Sequence, residues 1–143
     1  MKHVVALTAL SMAATFCGAA APTVTYVDHA KVVEIQAKEA LMVATDAFKV
    51  SSFRRTAAGE VEVHEKETDI FYVIDGEATI LTGGTMVGGR SSAPGQLRGT
   101  GIQGGQSHHL VKGDVIVIPA GIPHWFKDVP QSVSYFIVKS LQP

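Results

Sequence analysis

The chain has 143 residues, 46% of them hydrophobic and 17% charged, with 14 glycines and 6 prolines. That balance suits one domain and excludes a disordered tail, a collagen-like repeat and a coiled coil. A formal charge of −1 leaves no basic field for nucleic acid or for an anionic membrane surface.

Residues 1–21 read as a secretory signal. Lys2 and His3 give a positive start, Val4 to Phe16 is an apolar run too short to span a bilayer, and Gly18-Ala19-Ala20-Ala21 supplies the small residues a signal peptidase accepts. Lipidation of Cys17 would ask for a small residue before it, where bulky Phe16 stands. Cleavage near Ala20 or Ala21 leaves a chain without cysteine, so no disulfide, thiolate site or thiol nucleophile is expected. Export, into a periplasm by this composition, is the expectation, with no membrane attachment after cleavage.

Residues 22–40 form a lead-in. Asp28 is a candidate N-cap, and Val32, Val33 and Ile35 recur near helical spacing up to Lys38, which predicts a short amphipathic helix. From Leu41 the texture changes to short apolar runs broken by turn residues. Leu41–Thr45, Phe48–Arg54, Val61–His64, Ile70–Ile74, Ala78–Leu81, Val115–Ile118 and Ser132–Val138 are predicted strands. Asp75-Gly76 between the fourth and fifth of these predicts a hairpin turn. Residues 82–106, with nine glycines, predict an excursion from the β-core, either a lid or a surface loop. Many short strands and little helix imply an all-β barrel or sandwich over residues 41–143.

Glu62 and His64 lie two apart in a predicted strand and so share a face. Asp69 opens the next strand, and His124 follows a Pro119-Ala120-Gly121 turn. If the sheet closes, these four side chains aim at one point, and imidazoles with carboxylates are the ligand set of a divalent first-row metal. Two carboxylates placed together would repel unless a cation joined them. His64 and His124 also suit hydrogen-bonded residues of a metal-free pocket. Glu62 is either a ligand or a general base, and Asp69, one methylene shorter than glutamate, reaches an ion directly or through water. Glu67 could substitute for Asp69, but in a charged turn it is expected to be solvated.

His108 and His109 are adjacent, so at most one faces inward, and they are expected to be structural or associated with a lid. Arg54 and Arg55 are adjacent in the same way; one of them facing the cavity would clamp an anion, while two solvated arginines are the plainer expectation. Phe71, Val73, Ile116, Ile118 and Phe126 should line the barrel, with Trp125 turned away from His124. There is no P-loop, no dinucleotide-binding glycine fingerprint after a strand, no G-x-S-x-G elbow and no aromatic-basic patch for nucleic acid.

The spacing Glu62-x-His64-x4-Asp69-x6-Gly76 resembles the first cupin motif, G-x5-H-x-H-x(3–4)-E-x6-G. Glu62 stands for the first histidine, Asp69 for the glutamate, and Thr56 for the leading glycine. Gly113-x5-Pro119-x-Gly121-x2-His124-x3-Asp128 resembles the second motif, with Asp128 for its asparagine. The resemblance covers roughly residues 40–140. It implies a jelly-roll (double-stranded β-helix) barrel, and it implies metal ligation by Glu62, His64, Asp69 and His124. It also implies a homodimer and a small-molecule substrate or ligand. The oxygen-rich set favours manganese or iron(II), and zinc tolerates it. Oxygenase, isomerase and lyase chemistries are all compatible with such a scaffold. A non-catalytic, ligand- or metal-sensing module is the alternative, and a structural subunit whose glycine-rich segment meets a partner is a third.

Overall fold

A computed structural model describes residues 23–142, so the expected leader at residues 1–21 lies outside the described part. One helix, α1 (His29–Lys38), precedes strands β1 (Leu41–Ala44), β2 (Phe48–Arg55), β3 (Val61–His64), β4 (Glu67–Thr82), β5 (Thr85–Val87) and β6 (Arg90–Ala93). Six more follow: β7 (Gln96–Gly99), β8 (Gly101–Gln103), β9 (Gln106–Val111), β10 (Val115–Ile118), β11 (His124–Asp128) and β12 (Val133–Leu141). None of the described helices is long and apolar enough to cross a membrane.

The helix begins where Asp28 accepts a hydrogen bond from the Lys31 amide at 2.8 Å, satisfying one of the unpaired first-turn donors. It ends at Glu39, whose left-handed conformation turns its amide back to the Gln36 carbonyl. Only Ile35 is buried; Val33 is exposed. The helix leans on β1 and β2 from outside.

Every strand pair is antiparallel, and the long β4 belongs to two half-sheets. Its first half pairs with β12 and β10, and β12 continues to β2 and β1. Its second half pairs with β9 and β11, and β11 continues through β3 and β7 to β6. Apolar residues alternating along these strands meet between the halves: Phe71, Val73, Ile118, Val133, Tyr135 and Ile137 from the first, Ala78, Ile80, Leu110 and Phe126 from the second. Ile116, expected in this lining, is only partly buried and packs against it.

Asp75-Gly76 makes no hairpin turn. The expected strands 70–74 and 78–81 are one strand, and the register opposite slips between Ser134 and Tyr135, which marks a bulge. Gly76 is at φ +76°, and a Cβ there would fall 2.0 Å from the Ser132 carbonyl oxygen. The positive φ that the sequence signals is therefore spent on bending one strand from one half-sheet into the other.

Residues 82–106 are more ordered than a loop. β5 and β8 form a separate two-stranded ribbon, whereas β7 pairs with β3 inside the main sheet. β9 and β11 are strands that the apolar runs did not mark as such.

Candidate metal centre

β3 runs between β11 and β7. Glu62 pairs across with His124 on one side and Arg98 on the other, and His64 pairs with Gln96. Directly opposed residues of an antiparallel pair share a face, so this register alone gathers two imidazoles, a carboxylate, a guanidinium and an amide. Asp69 comes from the first half of β4, where it pairs with Lys139 of β12. The turn before β11 is fixed by Gly121, at φ +81°, whose amide donates to the His64 carbonyl at 2.8 Å.

Four atoms converge. His64 Nε2 lies 3.4 Å from Glu62 Oε2 and 3.3 Å from Asp69 Oδ2; His124 Nε2 lies 3.8 and 3.6 Å from the same two oxygens. The two imidazole rings are 5.1 Å apart between centroids. His64, Asp69 and His124 are all buried, and His64 Nε2, Asp69 Oδ2 and His124 Nε2 have no hydrogen-bond partner. The opposite ring nitrogens are engaged: Gln96 Oε1 faces His64 Nδ1, and the Ile122 carbonyl lies 3.1 Å from His124 Nδ1. Donation from each Nδ1–H leaves both Nε2 lone pairs directed at the common point, as metal-binding histidines require. Donors bound at ~2.1 Å around one tetrahedral ion stand about 3.4 Å from one another, close to the spacings found here. Glu62, His64 and His124 therefore fit a divalent ion, with Asp69 Oδ2 beside both imidazole nitrogens.

Cations of the chain surround this cluster. Arg55 and Arg98 Nη2 lie 3.7 and 3.5 Å from Glu62 Oε1, and Lys139 Nζ lies 2.6 Å from Asp69 Oδ1 and 3.2 Å from Glu67 Oε2. Burial alone would raise the Glu62 carboxyl, but His124, His64 and Arg98 outweigh it and hold it far below the ordinary carboxylate range. Asp69 is lowered in the same way, burial being overcome by His64 and Lys139. Burial pulls His64 down, and the flanking carboxylates of Asp69 and Glu62 overcome it, pushing the imidazole up to about 9.

Beside the cluster opens a cavity of about 430 Å³. Its lining is both polar, with Arg55, Arg98, Gln96 and Lys139, and apolar, with Phe71, Phe126, Tyr135 and Ile137. The Phe126 and Tyr135 rings stack at 5.4 Å, and Phe71 meets both edge-on.

The structure brings together all four residues singled out from the sequence, Glu62, His64, Asp69 and His124. The expectation that Glu62 and Asp69 need an added cation to coexist is corrected: arginines and a lysine already face them. Glu67 is also not solvated; it stands in β4 against Lys139, largely buried, 3.9 Å from His64 Nδ1. Glu62, His64 and His124 form one group of potential ligands, and His64, Glu67 and Asp69 form another that shares His64 with it. Of the adjacent arginines, Arg55 faces Glu62, while Arg54 bonds Ser132 at 3.2 Å. His108 and His109 are occupied on β9 with Thr82 and Glu77. Trp125 donates to the Gly59 carbonyl at 2.7 Å. The sequence reading missed Arg98, Gln96 and Lys139. Lys139 was within reach, since it continues the inward alternation Val133, Tyr135, Ile137 by one step.

The fold is shared by solved structures of low identity. It is similar to BH2720 from Bacillus halodurans (TM-score 0.58, 14% identity, 82% of this chain and 82% of that one). It is similar also to TT1209 from Thermus thermophilus (TM-score 0.53, 16% identity, 82% and 98%). The Schizosaccharomyces pombe Cnp3 cupin domain has a TM-score of 0.52 and 13% identity over 72% of this chain; the chain spans 59% of that one. No curated protein sequence matches significantly. The cupin family model matches residues 28–143, most of the sequence and all of the barrel just described. This chain belongs to the cupin family.

Proposed function

We propose that this cupin holds one divalent first-row metal ion through Glu62, His64, Asp69 and His124 and acts on a small organic molecule admitted to the adjoining cavity. One observation carries the reading: His64 Nε2, Asp69 Oδ2 and His124 Nε2 are buried without hydrogen-bond partners and lie within 3.3–3.8 Å of one another or of Glu62 Oε2. In the metal-free protein the His64 proton and the flanking Arg55, Arg98 and Lys139 balance these groups, and a bound ion would take the place of that proton. A bound ion of this kind supplies Lewis acidity. Gln96 and the Ile122 carbonyl orient the two rings, and Lys139 occupies Asp69 Oδ1 so that Oδ2 is left for ligation. Glu62 Oε2 lies 3.4 and 3.8 Å from the His64 and His124 Nε2 atoms, which favours a ligand's role over that of a general base. Manganese or iron(II) suits the oxygen-rich set, with zinc tolerated.

Purified protein exposed to manganese, iron(II) or zinc and then dialysed should retain about one ion per chain. The paired substitution His64→Ala/His124→Ala should abolish retention while the fold persists by circular dichroism. A wild-type protein that keeps none of the three metals refutes the proposal. Turnover is then screened with metal-loaded protein on small carboxylates, sugars and aromatic diols.

A binding or sensory module is the second reading. It draws on the acidity of Glu62 and Asp69, which leaves neither carboxyl poised for proton transfer near neutrality. Saturable binding without product in the same screen selects it. The expected leader at residues 1–21 supports export, which N-terminal sequencing of the mature protein tests. Pairing of two copies is supported by Tyr72, Val115 and Val117, exposed together on the outer face of the first half-sheet; sedimentation tests it.

A further inference from the structure

We infer that the cavity is built for a small organic carboxylate with an apolar, ring-sized body, its carboxylate lying between Arg55 and Arg98. The inference rests on the reading of this cavity as the substrate or ligand site and names the chemistry of what enters.

Arg55 is fixed in place. Its Nε donates to the Tyr135 hydroxyl at 3.0 Å, and its guanidinium lies over the Phe126 ring at 4.8 Å. Arg98 holds only a 3.4 Å contact to the Leu97 carbonyl. Both Nη2 groups approach Glu62 Oε1 at 3.5–3.7 Å, beyond good hydrogen-bond distance, so charge is balanced there while donors stay unspent. Each guanidinium offers five N–H groups, and a planar carboxylate takes two at a time. A pair of half-buried arginines with donors to spare, one locked by stacking, is an arrangement made ready for an oxyanion.

The charge count agrees. Around the site three cations, Arg55, Arg98 and Lys139, face three carboxylates, Glu62, Glu67 and Asp69. Counted with both imidazoles neutral, as a bound ion requires, these groups cancel, and a divalent ion would leave the surroundings positive, which admits an anion and disfavours a cation. The apolar part of the lining decides the body of the ligand. Phe71, Phe126, Tyr135 and Ile137 present carbon, and a ring laid against them loses water without losing hydrogen bonds. At about 430 Å³ the cavity has the size of a small-molecule site.

The probes are benzoate and its neutral isostere benzamide, titrated calorimetrically into wild-type, Arg98→Gln and Arg55→Lys proteins, each metal-loaded and each stripped by chelation. Benzoate should bind at least tenfold more tightly than benzamide. Arg98→Gln should weaken benzoate ten- to a hundredfold, the worth of about one charge-assisted hydrogen bond, with metal content unchanged. Equal affinity for benzoate and benzamide overturns the inference, as does an Arg98→Gln protein that binds benzoate like wild type, or no saturable benzoate binding up to roughly 10 mM. The wild-type comparison decides the matter even if a variant fails to fold. Metal content is measured on the same samples: benzoate selectivity in a protein that retains no metal sustains this inference and removes the metal reading.

Discussion

His64 governs how the centre answers to pH. Its imidazole, pushed up to about 9, keeps a proton among Asp69 and Glu62 in the metal-free protein, whereas in the unfolded chain it would lose that proton near 6.5. A group whose folded value is raised contributes stability that is complete below the unfolded value and is lost as pH rises through the folded one. The melting temperature of chelator-treated protein should therefore fall between pH 6.5 and about 9, and His64→Asn should remove that fall. The two lowered carboxyls act at the other end: their contribution is present above their ordinary values of 4.5 and 3.8 and disappears on acidification. A metal must displace the His64 proton. Ion affinity should then rise about tenfold per pH unit up to about 9, with close to one proton released per ion at pH 7. Calorimetry in two buffers of different ionisation heat reads that proton, and an affinity flat from pH 6.5 to 8.5 would contradict the charge state assigned to His64.

β4 shows what a strand can conceal. Gly76→Ala would set a methyl 2.0 Å from the Ser132 carbonyl oxygen at a φ of +76°, against backbone of the adjacent segment that cannot step aside. The expected loss is roughly 2–3 kcal/mol on urea denaturation. Gly113, at φ +94° with open space around it, is the control; its alanine variant carries backbone strain alone and should lose about 1 kcal/mol. Equal losses at the two positions would mean that close packing at the bulge is unimportant. The same glycine explains where sequence reading stopped. A tight turn and a bulge both require positive φ, so Asp75-Gly76 announces the conformation and not the topology. His64 and His124 were legible because their spacing to nearby glycines and proline is local. Arg98 and Gln96 reach the site only through the pairing of β3 with β7, a register no local pattern encodes, within a stretch whose glycines mimic a loop. Lys139 was encoded by alternation, hidden because the expected strand ended one residue before it.

At the scale of the molecule the four converging residues do not come from one sheet. Asp69 stands in the first half-sheet, beside Lys139, while Glu62, His64 and His124 stand in the second, on β3 and β11. The half-sheets meet elsewhere through apolar side chains and through the continuous backbone of β4. An ion shared by these donors would clip them together at the cavity end. Binding to the folded state alone stabilises by about 2.7 kcal/mol at a hundredfold excess over the dissociation constant, which for a domain of this size raises the melting temperature by roughly 10 °C. The clip makes a sharper claim about place. Amide exchange measured with and without zinc should slow on both sides of the cavity, in β3 and β11 and also in β12, because local opening of either half would have to release the ion. In Asp69→Ala three donors remain in the second half-sheet, so zinc should still slow β3 and β11 but no longer β12. Protection confined to β3 and β11 in the wild-type protein would show that Asp69 lies near the ion without holding it, and the two halves would then be joined by their apolar interior and β4 alone.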